Sequence, residues 1–180
     1  ARVRVADNLP PSMGGPQSGS SEDFALELDP NAALFVDTQV GAQDSGIRIR
    51  LDAALSALRQ ADAQVVEVVP WAGRPGPMDS GAKDKAESAR VLLTRAETSM
   101  REVVKLVPGT TFETIGPPAG DVADRHIAPA RKALNLAVLT DVPVDRAAQV
   151  QAARLEIDRS IAGIEALKET LGRLSAAIRE

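Results

Sequence analysis

The sequence predicts an all-α protein: an elongated antiparallel helical bundle of three long helices plus one shorter, preceded by an extended N-terminal arm. Three observations predict it. An apolar residue returns about every 3.5 positions in three separate stretches, which keeps one narrow seam along a helix and obliges that seam to be buried against other helices. Clusters of proline and glycine fall between those stretches, where helices must stop. The 180 residues are 44% apolar but only 2% aromatic, with Phe24, Phe35, Phe112 and Trp71 as the whole aromatic complement. A core of Ala, Val, Leu and Ile suits closely spaced helices, whereas sandwiches and most ligand pockets lean on rings.

Residues 1–29 read as the arm and residues 30–180 as the bundle. Within residues 1–7, Val3 and Val5 alternate with Arg2 and Arg4. Residues 8–21 are rich in Pro, Gly and Ser and bury too little surface to offset their ordering entropy. Phe24, Leu26 and Leu28 then alternate with Ala25, Glu27 and Asp29. The arm is thus two strand-like patches joined by a flexible link, suited to adding a strand to a partner or lying in a neighbour's groove.

Asp29-Pro30 suits a helix start, since the carboxylate accepts from free amides and proline fits the first helical position. The first helix runs from there to about residue 69, with the seam Ile47, Leu51, Ala54, Leu58, Ala61, Val65, Val68. Gly41 and Gly46 each weaken it by about 1 kcal/mol relative to alanine, so a break or kink is expected around them. Residues 70–77 are a stop. A second helix starts near Asp79 or Ser80, carries the seam Ala82, Ala86, Ala89, Leu93, Ala96, Met100, Val103, Val107, and ends at Pro108-Gly109. Residues 110–120 are expected to form a long loop centred on Gly116-Pro117-Pro118.

A shorter helix follows over residues 128–139, with Pro129 in its first turn. A start as early as Asp121 would put a kink at that proline. Residues 140–143 make a tight link, so the third and fourth helices lie antiparallel. The fourth helix spans residues 144–178 with the seam Val150, Ala153, Ile157, Ile161, Ile164, Leu167, Leu171, Leu174, Ile178. Leu93, Met100, Leu167, Leu171 and Leu174 are expected to be buried. Helices of about 28–39 residues extend roughly 42–58 Å, and a rod of that kind encloses a substrate poorly.

The chemistry-bearing residues are few. His126 is the single histidine, in the run Asp121-Val122-Ala123-Asp124-Arg125-His126. One imidazole cannot complete a metal shell or supply the paired Glu-x-x-His of di-iron bundles, and it is expected to be solvated beside a helix start. There is no cysteine, hence no disulfide framework, thiolate nucleophile or Cys-based zinc site. Gly73-Arg74-Pro75-Gly76 lacks the lysine and hydroxyl of a phosphate loop. No catalytic, cofactor-binding or metal-binding residue is assigned, and the reading is of a protein that is not an enzyme.

The net charge of −4 and the scarcity of rings speak against nucleic acid as a partner. No apolar run approaches the roughly 18–20 residues of a membrane span, and the first residues lack a signal-peptide core. That leaves the cytoplasm, a phage particle or an exported assembly. Arginine outnumbers lysine about threefold, which fits a GC-rich bacterial or phage genome. The expected role is a structural or interaction subunit of a larger bacterial or phage assembly (virion, injection or secretion apparatus), with protein partners in a homo-oligomer or multi-subunit complex. The candidate partner-binding residues are Val3, Val5, Phe24, Leu26 and Leu28 of the arm, Trp71 in the Pro/Gly turn, and Arg48 and Arg50. The alternative is a helical adaptor, secretion chaperone or sensory binding bundle.

Overall fold

The computed structural model describes residues 4–6, 18–20 and 35–179, and the chain divides into two units, Ala1–Leu34 and Phe35–Glu180. In the first unit, β1 (Arg4–Ala6) pairs antiparallel with β2 (Ser18–Ser20), placing Val5 opposite Gly19. The Ser-Gly-Ser run, expected to belong to a flexible link, is therefore a strand. Its composition is poor for a sheet, but ladder pairing needs only backbone donors and acceptors, and these three residues supply them.

All regular structure described in the second unit is helical. It comprises α1 (Phe35–Ala72), α2 (Ser80–Leu106), a 3-10 turn (Glu113–Ile115), α3 (Gly116–Val122), a π turn (Ala123–Ile127), α4 (Ala128–Leu139) and α5 (Pro143–Arg179). Because α3, the π turn and α4 are contiguous, they make one column, and the unit is a bundle of four columns. α1 packs on α2 and α5, and α4 also packs on α2 and α5. Ion pairs give the directions. Arg50 meets Glu102 at 3.1 Å and Lys85 meets Glu67 at 3.0 Å, so numbers rise along α1 as they fall along α2. Lys168 with Asp52 at 2.6 Å and Arg59 with Glu165 at 3.0 Å run α5 antiparallel to α1 in the same way. Such exposed pairs contribute at most about 1 kcal/mol each and serve more to mark register than to hold it.

The core is the set of seams. Every expected seam residue of α1 and α2 is buried, and the α1 seam runs on to Ala72. Leu93, Met100, Leu167 and Leu171 are buried as expected, while Leu174 is only partly so. On α5 three expected seam residues, Ile161, Leu174 and Ile178, are only partly buried, and Ser160 and Ser175 are enclosed beside the first two. Both serines escape the cost of a buried hydroxyl by bonding. Ser160 Oγ donates to the Glu156 carbonyl at 2.7 Å. Ser175 Oγ lies 2.7 Å from Asp44 Oδ1 and 2.8 Å from the Leu171 carbonyl.

Four further expectations are corrected. α1 runs without interruption through Gly41 and Gly46, because its heptad continues upstream to Asp44 and Val40, which pack inward there. It also passes Pro70 and ends two residues later, since a proline in the last turn removes a single bond near a terminus. Residues 116–120 are helix and not loop. Pro117 and Pro118 stand in the first turn of α3, where an amide has no helical acceptor in any case. The chain reaches that start through a tight turn in which Phe112 is wholly buried and Thr110 Oγ1 donates to the Val107 carbonyl at 2.7 Å. The third column therefore begins at Gly116, twelve residues before the expected start, and the kink expected at Pro129 is met by the π turn just ahead of it.

That π turn has a register consequence. Along this column the buried apolar residues are Ile115 in the 3-10 turn, Ala119 and Val122 in α3, Ala123 and Ile127 in the π turn, and Ala130, Ala133, Leu134 and Ala137 in α4. Val122 and Ala123 are both buried, so the step to Ile127 is five residues from the first and four from the second. The turn absorbs one extra residue, with the Ala128 amide bonding to the Ala123 carbonyl five positions back. It also widens the helix where the Pro129 ring would otherwise meet the carbonyl of Arg125.

Candidate functional site

Three polar constellations and one apolar cluster stand out on the bundle. The first belongs to the predicted arginines. Arg48 Nε donates to Asp44 Oδ2 at 2.9 Å, and Asp44 in turn meets Ser175. Arg50 donates to the Gly46 carbonyl at 3.0 Å and pairs with Glu102. Both predicted partner-binding arginines thus spend bonds within the bundle, tying α1 to α5 and to α2 near one end.

The second constellation surrounds the π turn. Asp121 pairs with Arg125 at 3.1 Å and Asp124 with Arg101 at 2.8 Å, so both aspartates of the run that holds His126 serve arginines. His126 is half-buried, not freely solvated, and its Nδ1 lies 2.7 Å from Glu156 Oε2 on α5. A carboxylate only accepts, so Nδ1 carries the proton. Glu156 also accepts from Arg159 at 2.5 Å. Burial opposes ionisation of the Glu156 carboxyl, yet the contacts with His126 and Arg159 outweigh it and hold its pKa below the usual glutamate range. The imidazole and this carboxylate make a hydrogen-bonded clamp between two columns. Among the described residues, no group of three or more His, Asp or Glu is placed to hold a metal ion, and no helix is long and apolar enough to cross a membrane.

The third constellation was not anticipated. Arg146, in the first turn of α5, is completely buried. Its Nε donates to the Ala72 carbonyl at 2.8 Å and one terminal nitrogen to the Gly76 carbonyl at 2.9 Å, while the other reaches the Arg74 carbonyl. It therefore caps the end of α1 and pins the turn to α2, with Gly76 at a φ of +86° that favours glycine. One signal was present in the sequence: stepping four residues back along the seam from Val150 lands on Arg146. The same step of three back from Ile47 lands on Asp44.

Trp71 sits at this end of the bundle. It is 36% exposed, and the Arg74 guanidinium stacks 3.9 Å above its ring. The same end carries the α4–α5 link, where Leu136, Leu139, Val142 and Val144 are exposed and Leu136 and Leu139 border a shallow cavity of about 390 Å³. Periodicity could not find Val142 and Val144, which lie at the link itself. Of the arm residues named above, Val3, Phe24, Leu26 and Leu28 lie outside the described residues, and Val5 lies in β1. Comparison of the chain with protein families, with curated proteins and with solved structures returns no match.

Proposed function

We propose that the protein is a structural interaction subunit of a larger bacterial or phage assembly, of the virion, injection or secretion kind, docking through its N-terminal arm and presenting the α4–α5 end of its bundle to protein partners. The observation that carries this reading is the apolar end. Leu139 and Val144 are 71% and 77% exposed, with Val142 between them in sequence and Leu136 beside Leu139. Scattered surface leucines mean little, but several at one end of a bundle whose seams are otherwise enclosed mark a contact surface. Trp71 adds at that end an aromatic of the kind that anchors interfaces. The long columns support a role as spacer: α1 has 38 residues and α5 has 37, each about 56 Å in length.

Light scattering on the full chain, beside a chain lacking residues 1–29 and beside Leu139→Asp/Val144→Asp, tests the reading. Assembly by the full chain that is lost on truncation and weakened by the double substitution is expected. An oligomer indifferent to both changes would favour the adaptor or binding-bundle reading instead.

A further inference from the structure

The groove between α2 and α4 carries a chemistry that its own neighbours do not complete. It measures about 690 Å³ and is lined by Arg90 from α2 and by Arg131 and Lys132 from α4, beside Ala128 and Pro129. Arg90 and Arg131 each give a terminal nitrogen to a carboxylate, Glu87 at 2.7 Å and Glu97 at 3.3 Å, but the Nε of each is buried with no hydrogen-bond partner. Lys132 is exposed and makes no ion pair among the described residues. Asp124, the carboxylate that borders the groove, is taken by Arg101 at 2.8 Å. A guanidinium N–H without an acceptor is costly, and the planar fork of arginine fits a carboxylate better than any other protein group.

We propose that this groove receives the acidic segment 22–29 of a second copy of the chain, its carboxylates on Arg90, Arg131 and Lys132 and its apolar residues over Ala128 and Pro129. The inference rests on the arm reading above and names the arm's partner. Residues 22–29 hold Glu22, Asp23, Glu27 and Asp29 with no basic residue, and Phe24, Leu26 and Leu28 alternate among them. The complementarity is local, since the chain as a whole carries a net charge of −4. The lengths agree: Glu22 to Glu27 spans about 17 Å when extended, and the groove's wall from Asp124 in the π turn to Asn135 in α4 rises about 16 Å. A groove between helices offers no strand edge, so the segment docks here through its side chains.

Sedimentation velocity on the full chain over a concentration series at low salt tests the proposal. Arg131→Glu/Lys132→Glu in the groove, and Glu22→Lys/Asp23→Lys/Glu27→Lys in the arm, should each weaken self-association by about tenfold or more. The two sets combined should restore most of it. Circular dichroism and melting check that each variant is folded, and Lys132→Glu alone, at an exposed position, gives the same readout should the double reversal unfold. A full chain that stays monomeric at every concentration overturns the proposal. So does a groove reversal without effect, or a combination that recovers nothing. If deleting residues 1–29 abolishes assembly while the groove reversal is harmless, the arm reading stands and the groove assignment fails. If the deletion is harmless too, both fail.

Discussion

Arg146 and Glu156, both on α5, each tie that helix to another part of the bundle by polar contacts. Arg146 makes no ion pair among the described residues; three carbonyls at the end of α1 and in the following turn take its donors. Arg146→Met keeps the bulk but strands those carbonyls, and should cost about 3 kcal/mol or more in urea unfolding. Arg146→Lys should recover less than half of that loss, because an ammonium cannot reach three divergent acceptors. For Glu156 the sign follows from its lowered pKa. The folded value lies below the unfolded one, about 4.3, so the folded state binds fewer protons between the two. Its contribution is complete above the unfolded value and is lost as pH falls through the folded value. A pH series of urea unfolding should therefore find a steeper acid loss in the wild type than in Glu156→Gln. Parallel profiles would mean that the His126 clamp adds nothing to stability.

At the scale of elements, close packing and register set different limits on substitution. An added Cβ at Gly163 of α5 would stand 2.7 Å from Val122 Cγ2 on α3, whereas at Gly172 it would meet nothing within 4 Å. Alanine gains up to about 1 kcal/mol over glycine in a helix. Gly172→Ala should therefore stabilise the protein, and Gly163→Ala should destabilise it, since overpacking a stiff β-branched neighbour costs about 1–3 kcal/mol. Thermal melts of the two variants should shift in opposite directions. The π turn makes a sharper claim. In a Pro129→Ala background, deleting Arg125 shortens the step from Val122 to Ile127 to that of an ordinary helix and leaves both halves of the seam facing inward. Deleting Thr94 from α2 instead turns everything beyond it by about 100° away from the core. The first variant should melt cooperatively and the second should not.

At the scale of the whole molecule, the proposed function assigns stability to the buried seams and association to the open surfaces, and the two should then separate on mutation. Leu93 is fully enclosed, so Leu93→Ala should cost about 2–5 kcal/mol. Leu139→Asp, at a site 71% exposed, should leave unfolding nearly unchanged while weakening assembly. A Leu139→Asp variant that unfolds early would place that leucine in a core formed only within the oligomer.

The division between what was legible and what was not follows range along the chain. Period and punctuation are local properties. The seams of α1 and α2, the start of α2 at Asp79, whose carboxylate accepts from Gly81 at 2.9 Å, and the stop near Gly109, at a φ of +70°, could all be read from neighbouring residues. The apolar seam also masked its own exceptions. Asp44, Arg146, Ser160 and Ser175 occupy heptad positions as polar residues, and hydropathy alone skips them. Ser160 finds its acceptor four residues back in its own helix, whereas only the fold brings Arg146 the Ala72 carbonyl and Ser175 the Asp44 carboxylate, 74 and 131 positions away. The same holds for His126: its local run pointed to Asp121 and Asp124, while tertiary packing gave it Glu156 of α5. The sequence by itself determined the long helices α1, α2 and α5, the shorter α4, and most of the faces they bury, because those are set by side-chain spacing along the chain. Which charges meet, where the third column begins, and how an extra residue is absorbed were decided by the tertiary structure, because each depends on the surface that a neighbouring column presents.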